Sequence, residues 1–236
     1  ALEALATVDD WGFTQQLEAE HESLGLYLSG HPFDPYRADA AGLSSGPLAA
    51  LAGAPAPAPG TEYQSARDAT IAGVVAGLRR RTGRIIVELD DGTGVIEMSV
   101  FPETYERCQE LLVPGSLIIV TGQLRWDAYM DGWRLAAREM LDIERVIETR
   151  ATQLLIRWTS ERQPVPDARR LRQVLEPSRP GRCSIQVCYA RADARARLDL
   201  GEEWAVRPSR ELRERLLALV GMDGFRFVYG GGEPGR

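Results

Sequence analysis

Between residues 70 and 141, stretches in which apolar and polar side chains alternate are separated by clusters rich in Gly, Pro and Asp. A period of two predicts strands at 70–78, 84–89, 94–100, 116–125 and 133–141. Ile85, Val87 and Leu89 share one face of the second, and Ile96, Met98 and Val100 one face of the third. Asp91-Gly92 followed by Thr93-Gly94 supplies a tight hairpin between them. Within 103–112 the spacing changes: Tyr105, Cys108, Leu111 and Leu112 fall at helical intervals, and Pro114-Gly115 ends the helix.

The flanks read differently. Leu17, Leu24 and Leu28 among Glu18, Glu20 and Glu22 predict a short amphipathic helix over 14–29 that stops at Gly30-His31-Pro32. From 38 to 60 the chain is mostly Ala, Gly, Ser and Pro, ending APAPAPG, with too little bulky apolar surface to offset ordering, so a linker or weakly ordered strap is expected. Beyond 150 come a strand at 153–158 and a helix capped by Asp167, carrying Leu171, Val174 and Leu175 and ended by Pro177. Strands follow at 182–190 and 194–200, then a helix at 209–220 closed by Gly221 and a strand at 225–229.

Three strands, a helix and two strands is the element order of an OB-fold, a five-stranded barrel whose loops between strands 1 and 2 and strands 4 and 5 flank the ligand. The last segment is βαββαβ, the ferredoxin-like order, expected here as a split βαβ sheet with both helices on one face. The expected class is α+β multidomain. Residues 1–37 end a helical region, 38–69 form an Ala/Pro-rich linker, 70–149 the OB domain and 150–232 a small C-terminal domain.

Charge sharpens this picture. The net charge of −6 divides into −8 over residues 1–69, −4 over 70–149 and +6 over 150–236, and all 28 basic residues are Arg. The apolar runs are far shorter than the ~20 residues that span a bilayer, and the acidic start is unlike a signal peptide, so a cytoplasmic protein with no membrane contact is expected. Cys108, Cys183 and Cys188 form no CxxC pair and only His21 and His31 are present, so neither a metal nor a disulfide is expected. Asp90-Asp91 and Glu202-Glu203 sit at predicted turns, where adjacent carboxylates do not converge. With no phosphate loop or nucleophile elbow, no catalytic residue and no cofactor are expected.

Candidate binding chemistry lies elsewhere. The first barrel loop, 78–84, carries Arg79, Arg80, Arg81 and Arg84 beside Gly83. The second, 126–132, adds Trp126 and Tyr129, flanked by Arg125 and Trp133, and Phe101 stands on the outward face of the third strand. A cationic loop with free π faces suits unpaired nucleic acid, each stacked base contributing roughly 1–3 kcal/mol. Glu88 and Glu97 on the same outward face oppose phosphate, so the expected binding is weak, loop-dominated and salt-sensitive. In the +6 segment, Arg191, Arg195, Arg197, Trp204, Arg207 and Tyr229 are the candidate protein-docking residues, since Arg and aromatics are enriched at interface centres.

Three stretches carry a family resemblance: EHESLGLYLSGHPFDPY at 20–36, GTGVIEMSVF at 92–101 and RADARARLDLGEEWAVRPSRELRERLLALVG at 191–221. In this order they resemble the C-terminal region of the alpha subunit of bacterial DNA polymerase III, in its replicative, proteobacterial form. The resemblance implies that 70–145 contacts single-stranded template and that about 150–230 binds the tau subunit of the clamp loader. It also implies that the polymerase carboxylates and the sliding-clamp motif belong upstream of these residues, so this segment is expected to be non-catalytic. The alternative reading is an RNA-binding OB module of the tRNA anticodon-binding type; a hydrolase built on Asp90 or Asp91 is a third.

Overall fold

A computed structural model of the chain describes residues 11–62, 64–81, 83–159, 167–191 and 193–230. Residues 11–32 hold one helix, α1 (Phe13–Leu24). It stops five residues before its predicted end because Gly25 turns left-handed, φ 71°, and returns its N–H to the His21 carbonyl at 2.9 Å. The Glu20 carboxylate then gathers the following turn, accepting the N–H groups of Leu28 at 2.7 Å and Ser29 at 3.0 Å.

From Phe33 onward the chain builds two layers of sheet structure. Helices α2 (Arg37–Leu43) and α3 (Leu48–Ala52) come first, in the segment expected to be a strap of little order. Composition hid the two residues that matter, for Leu48 is fully buried and Leu51 nearly so, both within the barrel core. Asp91 fastens this plug. Its carboxylate accepts the Leu48 N–H at 2.9 Å, and also the Thr93 N–H at 2.8 Å and the Gly94 N–H at 3.2 Å. Burial pushes the Asp91 carboxyl up, but these bonds and the Thr93 hydroxyl outweigh it and hold its pKa below the ordinary value.

The barrel comprises β1 (Arg67–Arg81), β2 (Arg84–Asp90), β3 (Val95–Val100), helix α4 (Pro102–Cys108), β4 (Leu117–Asp127) and β5 (Gly132–Asp142). Its closed order is β1-β2-β3-β5-β4, sealed by the parallel pairing of Met98 with Leu135 and Ser99 with Ala136. This is the OB-fold, with the helix between strands 3 and 4 as expected. Ile71, Val75, Val87, Leu89, Met98, Val120 and Leu135 fill the interior. Gly122 sits at the β4 irregularity, where a Cβ would lie 2.3 Å from the Ala136 carbonyl oxygen, so only glycine lets β4 and β5 approach there.

Helix α5 (Ile143–Arg150), which the sequence pattern did not predict, follows directly, capped by the Asp142 carboxylate on the Arg145 N–H at 3.0 Å. Then come β6 (Ala151–Thr159), α6 (Ala168–Leu175), β7 (Ser184–Arg191), β8 (Ala194–Leu200), α7 (Arg210–Val220) and β9 (Phe225–Tyr229). The βαββαβ element order holds, but the pairing is not split: the sheet runs β8-β7-β6-β9, and β7 lies parallel to β6 as its immediate neighbour. The residues explain why. A strand inserted between β6 and β7 is covered on one face, and β7 brings buried Ile185 and Val187 whereas β8 brings Arg195, Arg197 and Asp199 and is exposed along nearly its whole length. The apolar strand takes the inner place and the charged one the edge.

The two layers share a core. Ala72 and Val74 of β1 and Ile119 of β4 face out of the barrel and join Ile143, Val146 and Ile147 of α5, Leu154 and Ile156 of β6, and Leu212 and Leu216 of α7 in one apolar cluster. This is why 71–75 reads as a continuous apolar run: its two faces serve two cores.

Candidate nucleic-acid interface

The arginine-rich segment is strand rather than loop. β1 continues through Arg81, with Arg79 opposite Ile86, Arg80 opposite Ile85 and Arg81 opposite Arg84, leaving the turn to Gly83, φ 76°, and to residue 82, which lies outside the described residues. A paired hairpin fixes the backbone positions from which its arginines project, which a free loop does not.

Arg79 is committed within the protein. It pairs with Glu97 and, at 3.4 Å, with Glu88. Glu97 pairs in turn with Arg134 of β5, whose Nε lies 3.5 Å from Asp127 at the end of β4. The Asp127 carboxylate accepts the N–H groups of Tyr129 at 3.1 Å and Met130 at 3.2 Å. One chain of ion pairs thus runs from the β1–β2 hairpin across β3 and β5 to the loop that presents Tyr129. The expected repulsion from Glu88 and Glu97 is answered by Arg79 and Arg134. The sequence pattern does not single out Arg134, although strict alternation on β5 places it outward beside buried Trp133 and Leu135.

Arg80, Arg81 and Arg84 are exposed, and among the described residues they have no carboxylate partner. Phe101, 51% exposed, is one residue beyond the Val100–Ile85 pair and so continues β3 toward the Arg84 end. Tyr129 is 92% exposed at its loop tip. Arg125 faces outward and donates from Nε to the Gln123 side chain at 2.7 Å.

The two tryptophans are built into the barrel rim. Trp126 and Trp133 sit directly opposite each other on β4 and β5, edge to face with centroids 5.6 Å apart. Trp133 is 6% exposed, donates its indole N–H to the Ala54 carbonyl at 2.9 Å and carries the Arg67 guanidinium 4.9 Å over its ring. Its faces are taken, so it does not offer a stacking platform. The pleat is the cause: Leu124, Trp126, Trp133 and Leu135 point in, while Arg125, Asp127 and Arg134 point out.

The C-terminal candidates divide in two. Arg195 and Arg197 lie on edge strand β8, with Arg191 at its hairpin paired to Asp193. Trp204 is covered by the guanidinium groups of Arg179 at 4.4 Å and Arg172 at 5.8 Å, and exposed Arg207 follows on the same loop. Tyr229 belongs to β9, the opposite edge, with its ring against Gly42, and burial drives its pKa well above the ordinary range. It therefore does not join the arginine surface. Among the described residues no group of three or more His, Cys, Asp or Glu side chains is placed to hold a metal, and no helix is long and apolar enough to cross a membrane.

A family model described as DNA polymerase III subunit alpha, C-terminal domain, matches residues 170–221, and one described as OB-fold nucleic acid binding domain matches 69–143. The DNA polymerase III subunit alpha of Vibrio cholerae is 36% identical over 221 residues, 92% of this chain and 18% of the relative. That of Escherichia coli K12 is 34% identical over 226 residues, 94% of this chain and 19% of the relative. The chain belongs to the DNA polymerase III alpha-subunit family. It corresponds to the C-terminal region of that subunit, with its OB-fold nucleic-acid-binding domain, and spans under a fifth of the length of these relatives. Among solved structures, one titled as a replication protein A heterotrimer bound to ssDNA is 20% identical with a TM-score of 0.27, covering 34% of this chain and 62% of that one, a likeness too slight to carry an argument.

Proposed function

We propose that this region of the alpha subunit is non-catalytic and guides single-stranded template while tethering the polymerase. The OB barrel holds unpaired DNA weakly, by phosphate contacts from Arg80, Arg81 and Arg84 and by stacking on Tyr129 and Phe101. The C-terminal domain docks the tau subunit of the clamp loader. The observation that supports the first part best is the set of three guanidinium groups without carboxylate partners among the described residues, on a paired hairpin whose fourth member, Arg79, is locked to Glu88 and Glu97. A region carrying a net −4 around that hairpin limits affinity, which suits a surface along which a strand must slide.

Fluorescence anisotropy with labelled oligo-dT tests this. The chain binds, and changing Arg80, Arg81 and Arg84 to Ala abolishes most of the binding; unchanged binding contradicts the assignment. A preference for folded tRNA over oligo-dT would favour the anticodon-binding alternative. For the tether, co-elution with the C-terminal region of tau is expected, and separate elution would exclude it.

A further inference from the structure

Among the described residues, strand edges are closed in three ways, with one exception. The barrel closes on itself. The outer edge of β9 is covered by α2, and its Phe227 N–H, pointing away from β6, is taken by the Asp39 carboxylate at 3.1 Å. β7 and β6 are interior. β8 is different. Its seven residues pair with β7 on one side, and among the described residues no strand, helix or loop hydrogen-bonds to its other side.

The two faces of β8 differ in chemistry. Arg195 and Arg197 point to one face, opposite Ala190 and Cys188, and among the described residues neither has a carboxylate partner. Asp199 on that face is engaged by the Gln186 amide at 2.7 Å. Ala194, Ala196 and Leu198 point to the other face, and Leu198 remains 53% exposed although its cross-strand neighbour Val187 is buried. A strand added to β8 meets guanidinium groups on one side and an uncovered apolar strip on the other, repeating every second residue.

We propose that the free edge of β8 is a strand-addition site for an extended segment of a partner protein in which carboxylates alternate with apolar side chains. The main-chain groups of β8 supply the pairing. Arg195 and Arg197 select the acidic face and set the register, and Leu198 receives an apolar side chain. This rests on reading the C-terminal domain as a docking domain, and it names the part of the surface and the chemistry of what docks.

The test uses the whole chain with a short labelled peptide alternating Glu and Val, compared with a peptide of the same composition in which Glu and Val are in separate blocks. The alternating peptide binds and slows amide exchange across 194–200; the blocked one does not. Arg195→Glu with Arg197→Glu weakens binding by about tenfold or more, as does Leu198→Asp on the other face, since each replaces a favourable cross-strand pair by an unfavourable one. These side chains are exposed, so the variants keep the parent melting temperature. Equal binding of both peptides, unprotected β8 amides, or protection arising only from pairing of two copies of the chain overturns the proposal. Co-elution of tau with β8 amides still unprotected overturns strand addition and leaves docking intact. Peptide addition without tau co-elution keeps the edge site and removes tau as the partner.

Discussion

Asp39 and Arg213 stand 174 residues apart in the chain and 2.7 Å apart in the fold, at 1% and 2% exposure. Around them the Arg213 guanidinium donates to the Pro35 carbonyl at 2.8 Å, lies 4.4 Å over the Tyr36 ring and is 3.8 Å from Glu144, to which the Tyr36 hydroxyl donates at 2.5 Å. Burial alone would lower the guanidinium's pKa, but Asp39 and Glu144 outweigh it and keep the charge in place. Burial also raises the Glu144 carboxyl against the pull of Arg213. The knot joins residues 35–39, which precede the barrel, to α5, which follows it directly, and to α7 of the C-terminal sheet.

Asp39→Ala leaves a buried guanidinium short of its closest counter-charge and frees the Phe227 N–H. Urea unfolding of the chain should show a loss of about 3–5 kcal/mol, the range for breaking a buried pair from one side. A loss below 1 kcal/mol would mean the knot is not structural.

The plug at the barrel should be sensitive to one side chain. Leu48→Ala removes a fully buried group from the barrel core, for which about 2–5 kcal/mol is expected in the same assay. A neutral result would place α3 outside the cooperative fold.

Glu20 gives a pH signature. Hydrogen bonds from the Ser29 side chain and from the Ser29 and Leu28 N–H groups lower its carboxyl from 4.5 to about 2. A depressed folded pKa contributes stability that is complete above the unfolded value and is lost as pH falls from about 4.5 toward 2. The Leu28 and Ser29 amides should lose exchange protection across that window, and Glu20→Gln should remove the transition.

The aromatic residues separate cleanly. Tyr129→Ala should weaken oligo-dT binding by about 1–3 kcal/mol and leave stability unchanged. Trp133→Ala should cost about 3–5 kcal/mol of stability, because its indole is buried in the rim. Reversed effects would exchange their roles.

Much of this was legible along the chain. The period-two strands of the barrel and its inward residues could be read directly, because each strand buries one face. What escaped reading depended on contacts between distant segments. Leu48 and Leu51 look like minor members of an Ala/Pro run until the barrel they plug is assembled. Helix α5 is short and amphipathic against two partners at once. Asp39 and Arg213 look like ordinary surface charges in sequence. Its place beside the loop makes Trp133 look like a stacking residue, whereas the pleat that carries Arg134 outward turns it inward.

The central claim is that Arg80, Arg81 and Arg84 on the β1–β2 hairpin neutralise phosphates of single-stranded DNA. The direct measurement is the slope of log affinity for oligo-dT against log salt concentration, for the chain and for the variant with all three changed to Ala. Each phosphate contact on a single strand contributes about 0.7 to that slope, so the variant should lose about 2. An unchanged slope would show that the hairpin does not touch the backbone.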